Sequence, residues 1–571
     1  MTSRVPGTLP PTDPRGGDVP VTPPPAVPRV RGNDYTVLDP PALGAWAPTL
    51  RVSVVIPAYN GQQALDLVLA GLAAQTYPAE LTEVIVVDNG SSPALRLPPI
   101  RPPGTRLITC ATPGRANARN AGLAAATGDV VHWLDSDVIP DRHEVEAHMR
   151  WHHQAPYLVV TGYLRFTTAA LPSPDVVASG DLAALFEPAE PHEWLVDLVA
   201  RTNGLTEASG RAFSLHVGGA TSVGRLLIER AGPMDEELAL GQDTEMGYRL
   251  AQAGAVFVPE PLACGYHLGP SMRMRDKRLI DRVSHATIAD RVPPYRWLRT
   301  HPTRQWKVPY LEVVVEAAGY EDTRATVDAV LAGTVPDVSV LLVGPFDTLV
   351  PERRAPLTDP SLDLALIRGH FAYEARVRLV AAPPERVAPF RLCLPAGWLP
   401  GEDTLARLLD LAVDDGHGLV GVLLSESPEG LAVARLERRS AFSRAAFFAS
   451  TPLDDAVDDV SGTLWTDAET WGFVPADDAT PPKGRRMAYR ARLETEAELA
   501  RLNKEAERLR AQVAKWREES ARWRKSAVDL RREVGTLRRE VSSLKSSRLR
   551  TVIKRISVRL PRRPDDAQPL P

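Results

Sequence analysis

Cysteine is scarce in this sequence, with three residues in 571. Cys110, Cys264 and Cys393 lie far apart, and none belongs to a Cys-x-x-Cys pair. This spacing argues against a disulfide framework and against a zinc site built from cysteines. A reducing, cytoplasmic location is therefore expected.

Long apolar runs and a strong net charge are also missing. We find no run of about 18 apolar residues and no apolar core near the N-terminus, so neither a membrane span nor a secretion signal is indicated. The formal net charge is −4, which gives no nucleic-acid signature for the chain as a whole. The length of the chain predicts two or three domains.

Proline is abundant at the start of the chain. Residues 1–48 include PPTDP and VTPPPAVP and predict an extended, disordered leader.

From residue 50 the pattern changes to alternating strands and helices. RVSVVIPAYN and EVIVVD are typical of buried strands, and GQQALDLVLAGLAAQ between them has helical spacing. This β-α-β pattern predicts a parallel sheet and hence an α/β fold.

Polar side chains stand where three of the predicted strands end. They belong to the segments Pro57-Ala58-Tyr59 and Asp135-Ser136-Asp137 and to the single residue Asp88. Because ligands of α/β sheets bind at the carboxyl ends of strands, we expect all three to line one crevice. Paired carboxylates after the apolar strand VHWL would be compensated by a bound cation. The alternative is an ordinary turn or helix cap.

Five segments occur in order between about residues 51 and 270. They are VVIPAYN, VVDNGSS, ARNAGLAAATGD, LDSD and GQDTEMGYRL. Each is weak alone, but together they resemble a family 2 glycosyltransferase with the GT-A nucleotide-sugar fold. The resemblance implies a catalytic domain over residues 50–300 that uses a nucleotide-sugar donor, expected to be a UDP-sugar.

The resemblance also implies a metal-dependent donor site. Asp137 would bind Mn²⁺ or Mg²⁺, and Asp135 would meet the ribose or a metal-bound water, with Ser136 beside them. His267, in ACGYHLGPS, would complete the metal site; the alternative is an inert histidine after a strand. Such cations suit oxygen ligands and bridge phosphates, so the metal would neutralise the departing diphosphate.

Further positions are implied in binding the nucleotide. Pro57, Ala58 and Tyr59 would form the wall beside the base, with Tyr59 as a stacking face. Asp88 would accept hydrogen bonds from the base or ribose, whereas the alternative is a turn with Gly90.

Two arginines in PGRANARNAG, Arg115 and Arg119, stand at the start of a predicted helix. Both are candidates to donate to the phosphates or the base, and the alternative is that both are solvated there.

The stretch LALGQDTEMGYRLAQAG resembles the family's glutamate-aspartate motif at a helix start, with Gln242 in place of the glutamate. Asp243 is the implied general base, which would take the proton of the acceptor hydroxyl during inverting transfer. Gln242 and Glu245 are implied on the acceptor side. For Glu245 the alternative is an ordinary acid in the first turn of a helix.

The sequence contains an imperfect internal repeat. The segment from Tyr310 to Gly344 tracks the first β-α-β unit, with Gly344 where Asp88 stood. A later segment places residues 395–397, Pro-Ala-Gly, where residues 135–137 stood. Residues 309–480 are therefore predicted to form a degenerate, catalytically silent domain of similar fold. Asp467 and Glu469, spaced like Asp243 and Glu245, leave a remnant of acceptor binding open.

A heptad repeat dominates residues 487–548. Its core positions are Leu499, Leu502, Ala506, Leu509, Val513, Trp516, Ser520, Trp523, Ala527, Leu530, Val534, Leu537, Val541 and Leu544. This pattern predicts a long helix that self-associates as a coiled coil, although a helix folded back on the domains is the alternative. Residues 549–571 are basic and partly apolar, which predicts contact with an anionic membrane surface or, alternatively, a frayed helix end.

The sequence as a whole predicts an inverting, metal-dependent transfer of a sugar to a hydroxyl of a glycan or cell-envelope polymer. Three alternatives stay open. They are a catalytically silent scaffold or binding protein, a nucleotidyltransferase, and a polysaccharide polymerase with two active sites.

Overall fold

The protein is described by a computed structural model that covers residues 27–207, 210–301, 304–350, 355–428, 430–448, 450–478 and 485–556. The chain divides into two compact units, the first ending at Ala479 and the second beginning at Thr480. The first unit holds two large sheets in succession, and the described part of the second, residues 485–556, is a single long helix.

Nine strands of the described chain form the first sheet. They are β1 (Val52–Ala58), β2 (Thr82–Asp88), β3 (Thr105–Thr109), β4 (Val130–Leu134), β5 (Val138–Pro140), β6 (Leu158–Thr167), β7 (Ala189–Pro191), β8 (Ala220–Gly224) and β9 (Val256–Leu268). Their order is β3-β2-β1-β4-β8-β6-β9-β5, with β7 paired to β6. Strand β4 is buried along its whole length, as expected for a strand covered on both faces.

Strand β1 lies between two parallel neighbours. Its register pairs Ala58 with Asp88 on β2 and Val55 with Trp133 on β4. The three carboxyl ends therefore meet at one edge of the sheet. The prediction of a parallel β-α-β unit within an α/β fold of the GT-A type is confirmed.

Ten helices of the described chain accompany this sheet. They are α1 (Gln62–Ala73), α2 (Arg115–Ala125), α3 (Glu144–His152), α4 (Pro174–Ser179), α5 (Leu182–Leu185), α6 (Glu193–Arg201), α7 (Arg225–Ala231), α8 (Gln242–Gln252), α9 (Met272–Arg275) and α10 (Lys277–Ile288). Helix α2 packs closely on β1, because a side chain at Gly122 would clash with Val55. This close approach places the first turn of α2 beside the crevice.

The second sheet contains seven strands of the described chain, and a separate pair lies beside it. The strands are β10 (Leu311–Glu316), β11 (Val338–Val343), β12 (Val377–Val380), β13 (Phe390–Cys393), β14 (Trp398–Pro400), β15 (Leu419–Ser427), β16 (Gly430–Arg438), β17 (Thr463–Asp467) and β18 (Phe473–Pro475). The sheet order is β12-β11-β10-β13-β16-β15-β17, and β14 pairs with β18. The helices of this region are α11 (Tyr320–Ala332), α12 (Leu362–Phe371), α13 (Thr404–Asp414), α14 (Arg439–Ala445), α15 (Leu453–Ser461) and α16 (Ala468–Trp471).

The two sheets share one topology. The order β12-β11-β10-β13-β16-β15-β17 repeats β3-β2-β1-β4-β8-β6-β9 strand for strand. Register makes the match specific, since Cys393 pairs with the central strand β10 as Trp133 pairs with β1. Residues 395–397 thus occupy the place of residues 135–137, and the aspartates there are replaced by proline and glycine.

The same topology corrects the suggested match of Asp467 and Glu469 to Asp243 and Glu245. Helix α8 precedes β9, and its counterpart before β17 is α15, whereas Asp467 ends β17 and caps the next helix. Its side chain accepts a hydrogen bond from the backbone N–H of Thr470 at 2.9 Å. The suggested match rested only on the spacing of two acids within a short motif, and that spacing does not identify corresponding helices.

The start of the chain also departs from expectation, because residues 27–48 are not a disordered leader. Val30 is fully buried in the core. The Asn33 side chain donates to the Phe257 carbonyl at 2.9 Å and accepts from the Phe257 amide at 2.8 Å. Apolar and amide side chains thus dock this proline-rich segment on β9. Residues 1–26 of the predicted leader lie outside the described residues.

Helix α17 (Arg485–Ile556) forms the second unit and contains 72 residues. Apolar heptad side chains on it are exposed in the single chain, including Trp516 at 72% and Trp523 at 77%. Self-association through these positions stays a prediction. Within the described part of the chain, no helix combines the length and apolar character needed to cross a membrane. Residues 557–571, most of the predicted basic tail, lie outside the described residues.

Candidate active site

The acid loop, Asp135–Asp137, joins β4 to β5 at the edge where the parallel strands end. The chain turns tightly here, with the Val138 amide donating to the Asp135 carbonyl at 3.1 Å. The side chains of Asp135 and Asp137 are 38% and 44% exposed. The buried strand β4 therefore delivers two carboxylates to the crevice while leaving both accessible to a ligand.

Arg119 connects this loop to helix α8. Its side chain is 4% exposed, and its Nη2 donates to Asp135 Oδ1 at 2.8 Å and to the Gly218 carbonyl at 3.0 Å. Its Nη1 lies 3.4 Å from Asp243 Oδ1. Burial alone would lower the pKa of Arg119, but the charges of Asp243 and Asp135 outweigh burial and raise it. The structure assigns Arg119 to holding two carboxylates, rather than to phosphate or to solvent.

Two glycines that sequence reasoning missed complete this arrangement. A side chain at Gly218 would come within 2.5 Å of Asp243 Oδ1 and of Arg119 Nη2, and one at Gly219 within 2.9 Å of Asp135 Oδ2. The backbone before β8 can approach the carboxylates only because both residues lack a side chain. The Gly-Gly pair immediately before the apolar segment ATSVG was the available signal.

Asp137 faces His267 across the crevice. The Nδ1 atom of His267 lies 2.9 Å from the Gly269 carbonyl, which can only accept, so Nδ1 carries the proton. The Nε2 atom of the same ring lies 3.7 Å from Asp137 Oδ2. Partial burial raises the pKa of Asp137; His267 opposes this shift and the charge of Asp135 reinforces it. A carboxylate oxygen and an imidazole nitrogen that face each other in this way can both ligate a divalent cation.

The predicted nucleotide wall lies at the ends of β1 and β2. Tyr59 is 62% exposed, so its ring is free to stack, whereas Ala58 is buried. Asp88 is 5% exposed, and its two oxygens accept from the amides of Ser91 at 2.8 Å and Leu95 at 3.0 Å. Burial would raise the pKa of Asp88, but these amides lower it. This geometry favours the turn alternative for Asp88, with a loop extending beyond Gly90.

Arg115 is exposed at the first position of α2. Its positive charge acts on Asp137 and opposes the rise in the pKa of that carboxyl. Arg115, unlike Arg119, therefore keeps its guanidinium available for a phosphate at the crevice.

Helix α8 brings its first turn to the same crevice. It begins at Gln242, after Gly241 in a left-handed conformation with φ of 88°. Asp243 is 30% exposed, and its backbone carbonyl accepts a hydrogen bond from His216 Nδ1 at 2.8 Å. Gln242 is 1% exposed. Of these residues, Asp243 offers a carboxylate to a bound molecule.

Glu245 does not face the crevice, and its implied role on the acceptor side is corrected. It is 4% exposed, and its oxygens pair with Arg249 Nε at 2.6 Å and Nη2 at 2.8 Å. Arg249 in turn donates to the Gly232 carbonyl at 3.1 Å. Glu245 therefore ties α8 to the end of α7, and residues four apart on a helix form such pairs readily.

Comparisons with known proteins identify the family of the first domain. The sequence model of the family Glycosyl transferase family 2 matches residues 53–170. A pre-mycofactocin glycosyltransferase of Mycobacterium tuberculosis (strain CDC 1551 / Oshkosh) is 31% identical over 223 residues, which are 38% of this chain and 42% of that protein. Residues 53–170 are a family 2 glycosyltransferase domain.

Other similarities reach beyond this glycosyltransferase domain. A chondroitin synthase of Escherichia coli is 24% identical over 366 residues, covering 58% of this chain and 50% of that protein. A mannosyltransferase from Pyrobaculum calidifontis, solved in complex with GDP-Man and Mn²⁺, is 20% identical and superposes with a TM-score of 0.30, covering 44% of this chain and 70% of that one. The chain spans about half or less of the length of the two curated relatives.

The matched range includes Tyr59, Asp88, Arg119 and the acid loop. Asp243 and His267 lie beyond it. Their place in the glycosyltransferase site therefore rests on their distances to Arg119 and Asp137.

Proposed function

We propose that the protein is an inverting, metal-dependent glycosyltransferase that moves a sugar from a nucleotide-sugar donor, a UDP-sugar in our expectation, to a hydroxyl of a glycan or cell-envelope polymer. The observation that carries this proposal is the convergence of Asp135, Asp137, Asp243 and His267 at one edge of a family 2 glycosyltransferase domain. Metal dependence, the donor and the acceptor are parts of the proposal.

Asp137 and His267 would hold the cation, Mn²⁺ or Mg²⁺, because a carboxylate oxygen and an imidazole nitrogen face each other at 3.7 Å and both can serve as metal ligands. When bound, the cation supplies Lewis-acid stabilisation of the charge that develops on the nucleoside diphosphate. Asp135 stays fixed by Arg119, with its Oδ2 turned to Gly219 and the crevice. Asp135 would accept a hydrogen bond from the ribose.

Donor positioning falls to the side chains around the acid loop. Tyr59 would stack on the base, since its ring is exposed at the end of β1. Arg115 would donate to the diphosphate as a charge-assisted partner. Pro57, Ala58 and Ser136 would shape the pocket through their backbone and small side chains.

Asp243 is the proposed general base. Its Oδ1 faces Arg119 at 3.4 Å, so the second oxygen remains for the acceptor hydroxyl. The buried guanidinium fixes Asp243 relative to Asp135, which holds the base at a set distance from the donor site. A carboxylate so positioned takes the proton as the hydroxyl attacks the sugar. Gln242 would support the same turn from its buried position.

A polymerase with two active sites is the second candidate. The similarity to chondroitin synthase over 366 residues is longer than the first domain, and this observation favours it. The second sheet opposes it, because Pro395, Ala396 and Gly397 replace the acid loop, so this segment itself supplies no carboxylate to hold a cation. We propose a silent second domain that supports the first. Arg444 of α14 does so directly, donating to the Ala255 carbonyl at 2.7 Å.

Assembly and location complete the proposal. The heptads of α17 would associate as a coiled coil, and the basic residues from 549 onward would contact an anionic membrane surface from the cytoplasm. Neither contact bears on the donor chemistry.

A donor screen tests the function. The full chain is incubated with UDP-, GDP- and TDP-sugars in Mn²⁺, Mg²⁺ or EDTA, and release of nucleoside diphosphate is measured. We expect metal-dependent release from one donor class, and loss of release in Asp137→Asn but not in Asp39→Asn, an exposed control. Release that persists in EDTA would contradict metal dependence, and no release from any donor would favour the scaffold alternative.

A further inference from the structure

A second group of potential metal ligands is buried inside the first domain and does not belong to the crevice. It consists of His132 on β4 and of Glu144 and His148 on α3, called here the buried triad. Each of the three is 1% exposed. Their ligand atoms all lie within 4.8 Å of one another. None of them is used by the proposed transfer reaction.

The triad is close enough for bonding but is not joined by hydrogen bonds. Glu144 Oε1 lies 2.9 Å from His132 Nε2 and 3.2 Å from His148 Nε2. Yet these nitrogens and both Glu144 oxygens lack a hydrogen-bond partner of normal geometry within the described ranges. Buried polar atoms without a hydrogen-bond partner destabilise a fold, so several together call for an explanation.

The second domain shows that the fold does not need ionisable residues here. Helices α3 and α13 begin at corresponding positions, so the counterparts of His132, Glu144 and His148 are Leu392, Thr404 and Leu408. All three counterparts are buried, and Leu392 and Leu408 belong to the apolar core of the second sheet. The same strand and helix thus pack without a carboxylate or an imidazole.

We propose that the buried triad binds a zinc-type divalent metal ion that fastens α3 to β4. Two imidazole nitrogens and a carboxylate are a common zinc ligand set. Ligand atoms about 2.0 Å from a tetrahedral ion stand roughly 3.3 Å apart. The two distances from Glu144 Oε1 are already near this value. These three protein ligands leave the fourth position to a water molecule.

A supporting residue orients the ligands. Ser222 Oγ lies 2.8 Å from His148 Nδ1 and 2.7 Å from His152 Nε2, and it is fully buried on β8. If His148 Nδ1–H donates to Ser222 and Ser222 donates to His152, the Nε2 atom of His148 keeps its lone pair for the metal. Metal-bound histidines are typically held in this way through the other ring nitrogen.

The site would lie beside the acid loop, because α3 follows β5 and His132 stands three residues before Asp135. A bound ion would therefore fix both ends of the segment that carries Asp135 and Asp137. Its role is structural and independent of whether the crevice binds a nucleotide.

Metal analysis of the full chain tests this proposal. The protein is purified without a metal-affinity step, incubated with Zn²⁺, dialysed extensively and analysed by mass spectrometry for metals. We expect about one zinc ion per chain in the wild type, and the same in Asp137→Asn, which separates this site from the crevice. A wild-type protein free of zinc after this treatment would overturn the proposal.

A matched variant replaces the buried triad with the counterpart residues of the second domain. It combines His132→Leu, Glu144→Thr and His148→Leu. Because that combination packs in the second sheet, we expect a folded protein without bound zinc. Co²⁺ replacement should give visible ligand-field bands in the wild type and none in the triple variant. Ser222→Ala should weaken zinc binding by about 10- to 100-fold, as loss of a supporting hydrogen bond does. Zinc retained by the triple variant would place the ion elsewhere and overturn the assignment.

Discussion

Arg119 donates to Asp135 at 2.8 Å from a position that is almost completely buried. The same guanidinium lies 3.4 Å from Asp243, so one cation sets the spacing of the proposed donor and acceptor carboxylates. The geometry of the crevice therefore depends on a residue that need not touch either substrate.

Arg119→Met should lower kcat/KM by on the order of 10²-fold, because misplacing catalytic groups by about 1 Å has effects of that size. Arg119→Lys should retain part of the activity, since an ammonium keeps the charge but cannot contact both carboxylates as a planar fork does. Steady-state rates measure this. The exposed Arg51→Met is the control, and full activity in Arg119→Met would refute the bridging role.

Asp243→Asn separates binding from chemistry. The amide keeps the shape of the side chain but cannot take a proton, so transfer should fall by about 10²–10⁴-fold while donor affinity persists. Single-turnover rates and calorimetric binding of the nucleoside diphosphate give the two quantities. Unchanged turnover would show that Asp243 merely starts helix α8. Glu245 is no substitute base, because Arg249 occupies both of its oxygens.

Glu83 should make stability depend on pH. Burial would raise the pKa of Glu83, but hydrogen bonds from Ser53 at 2.5 Å and from Thr127 at 2.5 Å lower it. A carboxyl whose pKa is lowered by folding stabilises the protein above its unfolded pKa of about 4.3, and this stabilisation is lost as pH falls through the folded value.

Glu83→Gln should accordingly lower the free energy of unfolding by about 1.5–3 kcal/mol at pH 7, the range for hydrogen bonds to charged groups. The difference from the wild type should shrink below about pH 4. Urea unfolding at several pH values measures it. A difference that is the same at pH 3 and pH 7 would mean that the charge of Glu83 contributes nothing.

Removal of α17 should change assembly but not donor chemistry. A chain ending at Asp478 keeps both sheets and loses every heptad, so we expect a monomer with unchanged donor hydrolysis. On a polymeric acceptor it should be slower, because active sites no longer act together on one molecule. Light scattering on both chains decides this, and an oligomeric truncated protein would place the interface in the domains.

Local patterns were sufficient to predict the β-α-β start and the strand ends. Apolar runs such as those of β1 and β4 are recognisable in the sequence as buried strands. Parallel pairing of these strands then brings Asp88 and the acid loop to one edge of the sheet. The register of the second sheet likewise bears out the predicted correspondence of Gly344 to Asp88.

Tertiary contacts could not be predicted in the same way. A helix-start arginine gives no sign that it will be buried, and the burial of Arg119 depends on Gly218 leaving space far along the chain. The sequence around Glu245 is typical of an acid that contacts a bound molecule. Arg249, one helical turn later, instead forms an ion pair with Glu245. The Asn33 contact with Phe257 joins residues that no local pattern connects.

The proposed metal-dependent nucleotide site is tested most directly by calorimetric titration of UDP into the wild type and Asp137→Asn, each with Mn²⁺ and with EDTA. The wild type should bind at least about tenfold more tightly with Mn²⁺, a difference of about 1.4 kcal/mol. Asp137→Asn should show the same weak affinity in both conditions, with an unchanged thermal unfolding midpoint. Equal dependence on Mn²⁺ in both proteins would contradict the assignment of Asp137 as a metal ligand.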